Sequence, residues 1–123
     1  MKYVNIAVCA VMVLFAAVQY NDPDAALWIV IYLIPALWAA LAAFRPRALG
    51  DTRVFAALCA SVLAAVAGTA YYWPDSPEWW RRDVWWEVET AREGMGMMVV
   101  TAGLLIALVT SLRGRTQGRP PLT

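Results

Sequence analysis

Four long apolar segments follow one another along the chain, separated by short polar segments. They run from about residue 3 to 20, 25 to 44, 54 to 73 and 94 to 112. Each approaches the roughly 20 residues that an α-helix needs to cross a hydrocarbon core of about 30 Å. A bilayer offers backbone groups no water, so these segments predict helices. The alternating ten-residue segments of a membrane β-barrel do not occur in the sequence.

Turn residues mark the ends of the predicted helices. Asn21-Asp22-Pro23-Asp24 predicts a tight turn in which Asp24 caps the second helix, and Asp51 is placed to cap the third. Ser76-Pro77 predicts the start of a short outer helix over 77–89 that is rich in tryptophan. The pattern therefore predicts an all-α integral membrane protein with four transmembrane helices, arranged as two antiparallel hairpins plus a short interfacial helix. Residues 1–112 form one domain, and 113–123 are expected to be a basic flexible tail.

Small residues recur every fourth position in the third span, at Ala56, Ala60, Ala64 and Gly68. This spacing lets helix backbones approach each other closely. We expect the third helix to be the central packing element. The alternative is that the same face mediates self-association.

Composition agrees with a membrane protein and excludes several classes of site. The 123 residues are 62% hydrophobic and 15% charged, against roughly 45–50% and about 25% in soluble domains. The absence of histidine excludes a His-ligated haem, a Zn–His site and a Ser-His-Asp triad. A net charge of +1 gives no reason to expect nucleic acid, and Cys9 and Cys59 fall in apolar spans as packing residues.

Charge is distributed unequally between the two ends of the predicted bundle. One end has seven basic residues and one acidic residue: Lys2, Arg45, Arg47, Arg53, Arg113, Arg115, Arg119 and Asp51. The other end has three basic and eight acidic residues: Arg81, Arg82, Arg92, Asp22, Asp24, Asp75, Glu78, Asp83, Glu87, Glu89 and Glu93. The positive-inside rule predicts cytoplasmic termini, in a plasma membrane of the bacterial inner-membrane type. The alternative for the first span is a cleaved signal peptide.

Polar residues gather in two segments at the acidic end, one closing the first hairpin and one leading into the fourth helix. In a helical lead-in, Glu89, Arg92, Glu93 and Gly96 share one side. Ionisable groups at a membrane boundary are costly unless paired or hydrated, so we expect these groups to contact one another. The candidate cluster consists of Asn21, Asp22, Asp24, Glu89, Arg92 and Glu93.

The residues leave four interpretations of this cluster open. Arg92 can bridge Asp22 or Asp24 and clamp the hairpins, with Asn21 satisfying loop backbone. The carboxylates of Asp22, Asp24, Glu89 and Glu93 can supply the oxygen ligands of a hard cation such as Ca²⁺. The positive charge of Arg92 among them and the lack of EF-hand spacing argue against this interpretation. They can also carry protons or act as a general acid and base. Finally, Arg92 with Arg81-Arg82 can hold an anion or a polar headgroup.

The predicted function follows from the motifs that the sequence lacks. The sequence supplies no nucleophile, cofactor loop or oxyanion hole, so we expect a non-enzymatic membrane module without cofactors or an assigned metal. We expect it to be an accessory subunit or to self-assemble, with its outer acidic–Arg cluster clamping the two hairpins or holding a small polar ligand. Its expected partners are the lipid bilayer and either a membrane protein or further copies of itself. The alternative is a transporter-like protein that handles ions or protons with the outer carboxylates.

Two short motifs, one in each hairpin, resemble those of a known family. The first is Gln19-Tyr20-Asn21-Asp22-Pro23-Asp24, followed by Trp28, Tyr32 and Pro35-Ala36. The second is Glu89-x-x-Arg92-Glu93-x-x-Gly96. Both are similar to segments of the transmembrane protein 220 family. The resemblance implies a small four-helix membrane protein without an established biochemical activity, and it does not extend to the tryptophan-dense run from Trp79 to Trp86.

Overall fold

Four long helices and one short helix make up the computed structural model, which describes residues 1–117. They are α1 (Lys2–Ala17), α2 (Ala25–Phe44), α3 (Thr52–Tyr71), α4 (Arg82–Glu87) and α5 (Glu89–Gln117), with 3₁₀ turns at Val18–Asn21 and Pro46–Gly50. The four long helices are long and apolar enough to cross a membrane. Residues 1–117 contain no strand. The predicted all-α, four-span architecture is confirmed.

The last helix is longer at both ends than the apolar pattern indicates. It begins at Glu89, before the predicted start at residue 94, and continues to Gln117. The first five residues of the predicted tail, 113–117, are therefore helical, whereas 118–123 lie outside the described residues. Hydropathy detects only the apolar part of a helix. Because α5 also has polar turns at both ends, the helix is longer than its apolar segment.

The short outer helix differs from its prediction over 77–89. Residues 77–80 form a turn, and α4 covers only Arg82–Glu87. Glu78 has a φ of 54°, a left-handed conformation that a right-handed helix cannot contain. The guanidinium of Arg81 donates to Glu78 at 2.7 Å and to Asp83 at 3.1 Å, which fixes this turn against the start of α4.

The central helix of the bundle is α5, which corrects the prediction for α3. It packs against both α2 and α3 and also contacts α1, whereas α1 pairs mainly with α2. Leu104 and Ala107 of α5 are fully buried. Ala56, Ala60 and Ala64 of α3 are exposed. The four-residue repeat of small side chains in α3 therefore lies largely outside the contacts within this chain.

Buried and half-buried polar side chains connect the helices at two depths. Asn5 on α1 is fully buried, and its Nδ2 donates to Thr110 Oγ1 on α5 at 2.8 Å. The hydroxyls of Thr69 on α3 and Thr101 on α5 lie 2.8 Å apart. Hydrogen bonds of this kind between transmembrane helices contribute on average about 0.6 kcal/mol each. They fix the register of α5 more than they stabilise the bundle.

A lateral groove separates α2 from α3, with α5 as its floor. Two contacts bridge the groove: Trp38 Nε1 donates to Ser61 Oγ at 3.1 Å, and the Trp28 and Tyr72 rings lie 5.3 Å apart. Ten residues separate the two tryptophans, which is about 15 Å of helix. The cavity between the bridges measures about 530 Å³ and is lined mainly by apolar side chains, including Ile31, Ile34, Ala64, Gly68, Met97 and Val100. We call it the α2–α3 groove.

The antiparallel arrangement sorts the charged connections to opposite ends. The α1–α2 turn, the segment between α3 and α5, and the first turn of α5 form the acidic end. The start of α1, the Pro46–Gly50 turn and the last turns of α5 form the basic end. Asp51 at the basic end caps α3 as predicted, because its Oδ1 accepts from the backbone N–H groups of Arg53 and Val54 at 2.9 and 3.2 Å.

Candidate functional site

The turn between α1 and α2 holds Asp22 in a fixed position. Its N–H donates to the carbonyl of Gln19 at 2.9 Å, and its own carbonyl accepts from the Ala25 N–H at 3.0 Å. The Asp22 carboxylate accepts from the Asp24 N–H at 3.0 Å. Asp24 occupies the N-cap position of α2, but its side chain makes no capping hydrogen bond, contrary to the sequence prediction. The Asp22 carboxylate therefore stabilises the turn itself, as an Asx-turn, and does not cap α2.

Three of the predicted carboxylates meet across the two hairpins. One oxygen each from Asp22, Asp24 and Glu89 lie within 4.8 Å of one another. Asp22 is half-buried, whereas Asp24 and Glu89 are exposed. Asn21, another member of the predicted cluster, is exposed at the end of the 3₁₀ turn. The fold thus brings together acidic groups separated by more than sixty residues in sequence.

Arg92 does not form the predicted salt bridge to the first hairpin. Its Nη1 donates to the backbone carbonyl of Trp86 at 2.8 Å. Within residues 1–116, the salt bridges are those of Arg81 with Glu78 and Asp83. Arg92 therefore connects the end of α4 to α5. Its positive charge is not paired directly with a carboxylate of the first hairpin.

A small polar cavity nevertheless joins the hairpins at this end. It measures about 30 Å³ and is lined by Gln19, Asp22, Trp28, Tyr32, Arg92 and Glu93. A single water needs roughly 10–15 Å³ of such space, so the cavity accommodates one or two waters or a single ion. A metabolite-sized substrate does not fit.

Aromatic rings form the apolar wall of this cavity and connect it to the α2–α3 groove. Trp28 contacts Tyr32 at 6.0 Å between ring centroids, and Phe15 packs edge-on against Tyr32 at 5.5 Å. The hydroxyl of Tyr32 lies against Gly96, where an added Cβ would overlap it. Because Gly96 has no side chain, the Tyr32 ring fills the space beside the cluster.

The acidic groups also affect the pKa of a tyrosine at this end of the bundle. The pKa of Tyr72, which follows α3, lies above its usual value. Burial is the main cause, and the negative charge of Glu93 is the next. Tyr72 therefore marks the place where the acidic end meets the α2–α3 groove.

Trp28 and Tyr32 join the site through helix geometry that the sequence contains. They follow Asp24 at intervals of four residues, so all three share one face of α2. The resemblance to a family draws attention to them, but composition and charge do not. Neither residue is charged, and tryptophan at a membrane boundary usually serves as an interfacial anchor.

The fold and the site define a small multi-pass membrane protein whose two hairpins meet in an acidic, aromatic junction. Comparison with known proteins gives the family. The model of the family described as Transmembrane family 220 matches residues 11–109, and the chain belongs to this family. Transmembrane protein 220 of Xenopus laevis is 31% identical over 99 residues, which cover 76% of this chain and 50% of that protein. The chain thus spans about half the length of this curated relative. No solved structure matches.

Proposed function

We propose that this protein is a non-enzymatic membrane module, an accessory subunit or a self-assembling unit, whose acidic end fixes its two hairpins relative to each other. The observation that supports it is the 30 Å³ cavity, which both hairpins line and which has no room for a substrate. The junction holds α2 against α5 at one end, and its Trp28 contacts Tyr72 across that end of the α2–α3 groove.

The surface for assembly, in this proposal, is the α2–α3 groove with another membrane-spanning helix as its occupant. Ala64 on its wall is exposed, and Gly68 on the same wall is half-buried. Small residues at this spacing allow a second helix to approach closely. In lipid the hydrophobic effect does not drive helices together, so close van der Waals packing of this kind supplies the attraction. The two bridges at Trp28 and Trp38 limit the insertion to side chains, so the partner helix lies across the groove.

Native mass spectrometry of protein released gently from its membrane tests this assembly. We expect either a homo-oligomer or a complex with another polypeptide, and these masses distinguish a self-assembling unit from an accessory subunit. Ala64→Leu places a large side chain on the groove wall and should dissociate the complex. Ala67→Leu is the matched control, since Ala67 is exposed on α3 outside the groove. A monomer under all gentle conditions, or equal behaviour of the two variants, contradicts the proposal.

The location we propose is a plasma membrane of the bacterial inner-membrane type, with both termini in the cytoplasm. The unequal distribution of basic residues supports this orientation, because arginine and lysine concentrate in cytoplasmic segments.

The second candidate function is ion or proton handling at the acidic end. It is favoured by the approach of Asp22, Asp24 and Glu89 within 4.8 Å while Arg92 donates to a backbone carbonyl. Oxygen ligands of this type suit Ca²⁺.

Thermal unfolding in detergent with and without Ca²⁺ separates the two candidates. If the carboxylates bind the cation, Ca²⁺ raises the unfolding temperature of the wild type, and Glu89→Gln abolishes this increase. If they do not, Ca²⁺ leaves the unfolding temperature of both the wild type and Glu89→Gln unchanged. Glu87→Gln serves as the control, since Glu87 is exposed and lies outside the three-carboxylate group.

A further inference from the structure

A second cavity, lined by apolar surface together with two arginines and two hydroxyls, lies at the basic end, between the Pro46–Gly50 turn and the last turns of α5. It measures about 230 Å³, which exceeds the space of a few waters and is smaller than the roughly 300–1,000 Å³ of drug-sized sites. Its size suits a small anion or the polar headgroup of a lipid. Its lining includes Arg47, Gly50, Thr110, Ser111, Gly114 and Arg115.

Arg115 presents hydrogen-bond donors to this cavity that the protein leaves poorly used. Its Nη2 lies 3.4 Å from the carbonyl oxygens of both Leu49 and Gly50, which makes two long contacts. Its Nε is buried and has no partner among the described residues. The guanidinium sits over the Phe55 ring at 4.1 Å, which holds it in place. Hydrogen bonds of 3.4 Å are long and weak, so Nη2 can donate to a stronger acceptor placed in the cavity.

A buried hydroxyl supplies a second donor beside Arg115. Ser111 is 4% exposed, and its Oγ makes only a long contact of 3.4 Å with the Leu49 carbonyl. That hydroxyl can turn toward a better acceptor in the cavity. The neighbouring Thr110 is different, because its hydroxyl already donates to Ile106 and accepts from Asn5.

Positive charge at this end has little compensation. The carboxylate of Asp51, the single acidic side chain of the basic end, is engaged in capping α3. Within residues 1–116, Arg47 and Arg115 form no salt bridge. The C-terminal end of α5 disfavours an anion through its dipole, but that partial charge is about half a unit against two full guanidinium charges.

We propose that this cavity binds a phosphate group, with Arg47 and Arg115 as its cationic ligands and Ser111 as a hydroxyl donor. The guanidinium fork matches phosphate oxygens in geometry and forms charge-assisted hydrogen bonds with them. An anionic lipid headgroup and free phosphate share this chemistry. Anionic lipid headgroups typically bind in basic pockets beside transmembrane helices.

The test compares pairs of variants that change the charge equally. Phosphatidylglycerol, and separately inorganic phosphate, is titrated into the full chain in neutral detergent, with bound mass and unfolding temperature as readouts. Arg47→Gln and Arg115→Gln should each raise the half-saturating concentration about tenfold, as expected for one lost charge-assisted contact. The controls are Arg45→Gln and Arg113→Gln, because both arginines are exposed at the same end and neither lines the cavity. We expect less than about threefold from the controls.

The outcomes decide both the site and the source of the phosphate. Binding of phosphatidylglycerol alone identifies a lipid headgroup, whereas binding of both probes at similar concentrations identifies a site for free phosphate. Equal losses in all four variants show diffuse attraction by surface charge and overturn the proposal, as does the absence of binding by either probe. The Arg47 side chain is exposed and makes no hydrogen bond or salt bridge within residues 1–116, so Arg47→Gln keeps the test valid if Arg115→Gln fails to fold.

Discussion

Replacing Trp28 with alanine is expected to lower the free energy of unfolding by about 3 kcal/mol, the low end of the range for buried Trp→Ala changes. Trp28 is 2% exposed and contacts Tyr32 within the first hairpin and Tyr72 at the end of α3. Its removal leaves a cavity at the point where both hairpins and the groove meet. In lipid the loss is one of packing contacts more than of transfer from water.

Denaturation in mixed micelles measures this change against a tryptophan of the same end. Trp86 is 67% exposed, so Trp86→Ala should change the free energy of unfolding by less than about 0.5 kcal/mol. A similar effect of both substitutions would show that tryptophans act here only as interfacial anchors, and it would contradict the junction described above.

Gly94→Ala is expected to destabilise the protein by about 1–3 kcal/mol, although alanine favours helices over glycine. An added Cβ at Gly94 would lie 2.6 Å from the Tyr72 carbonyl oxygen and 2.6 Å from Pro74 Cδ. One of these atoms belongs to the backbone and the other to a rigid ring, so neither can rotate away. The connection after α3 must then move off α5.

Gly114→Ala in the same helix is the control for this substitution. A Cβ at Gly114 meets no atom within 4 Å, so helix propensity alone operates and predicts a gain of up to about 1 kcal/mol. Opposite signs for the two glycines, measured by denaturation in mixed micelles, would verify the close approach at Gly94. Two stabilising substitutions would refute it.

Three carboxylates of the predicted cluster lie together in the structure for a physical reason. The charges of Asp22, Asp24 and Glu89 place them at one end of the bundle, and the structure brings them together. Arg92 is also at this end, yet it donates to the Trp86 carbonyl instead of a carboxylate. A helix end supplies unpaired carbonyls, and these compete with acidic side chains for a guanidinium. Sequence shows which groups are near, but not which acceptor a long side chain selects.

The position of α3 shows the same difference between what the sequence indicates and what it leaves open, here for helix packing. Its repeat of small residues predicts a close helix contact, which the chain itself does not make along most of that face. Ala60 and Ala64 are exposed, and α5 is the central helix although its small residues are less regular. A small-residue repeat shows that a face can pack closely, and it does not specify the partner.

The sequence by itself determined the number of spans, their antiparallel hairpins and the sorting of charge into an acidic and a basic end. These features depend on the thickness of the bilayer and on the need to satisfy every backbone hydrogen bond, which act on each segment separately. The tertiary structure alone decided that α5 is central, that Trp28 joins the hairpins, and that cavities form at Asp22 and Arg115. Helix faces of similar hydropathy differ little in their affinity for lipid, so only their shapes and a few polar contacts select the partners.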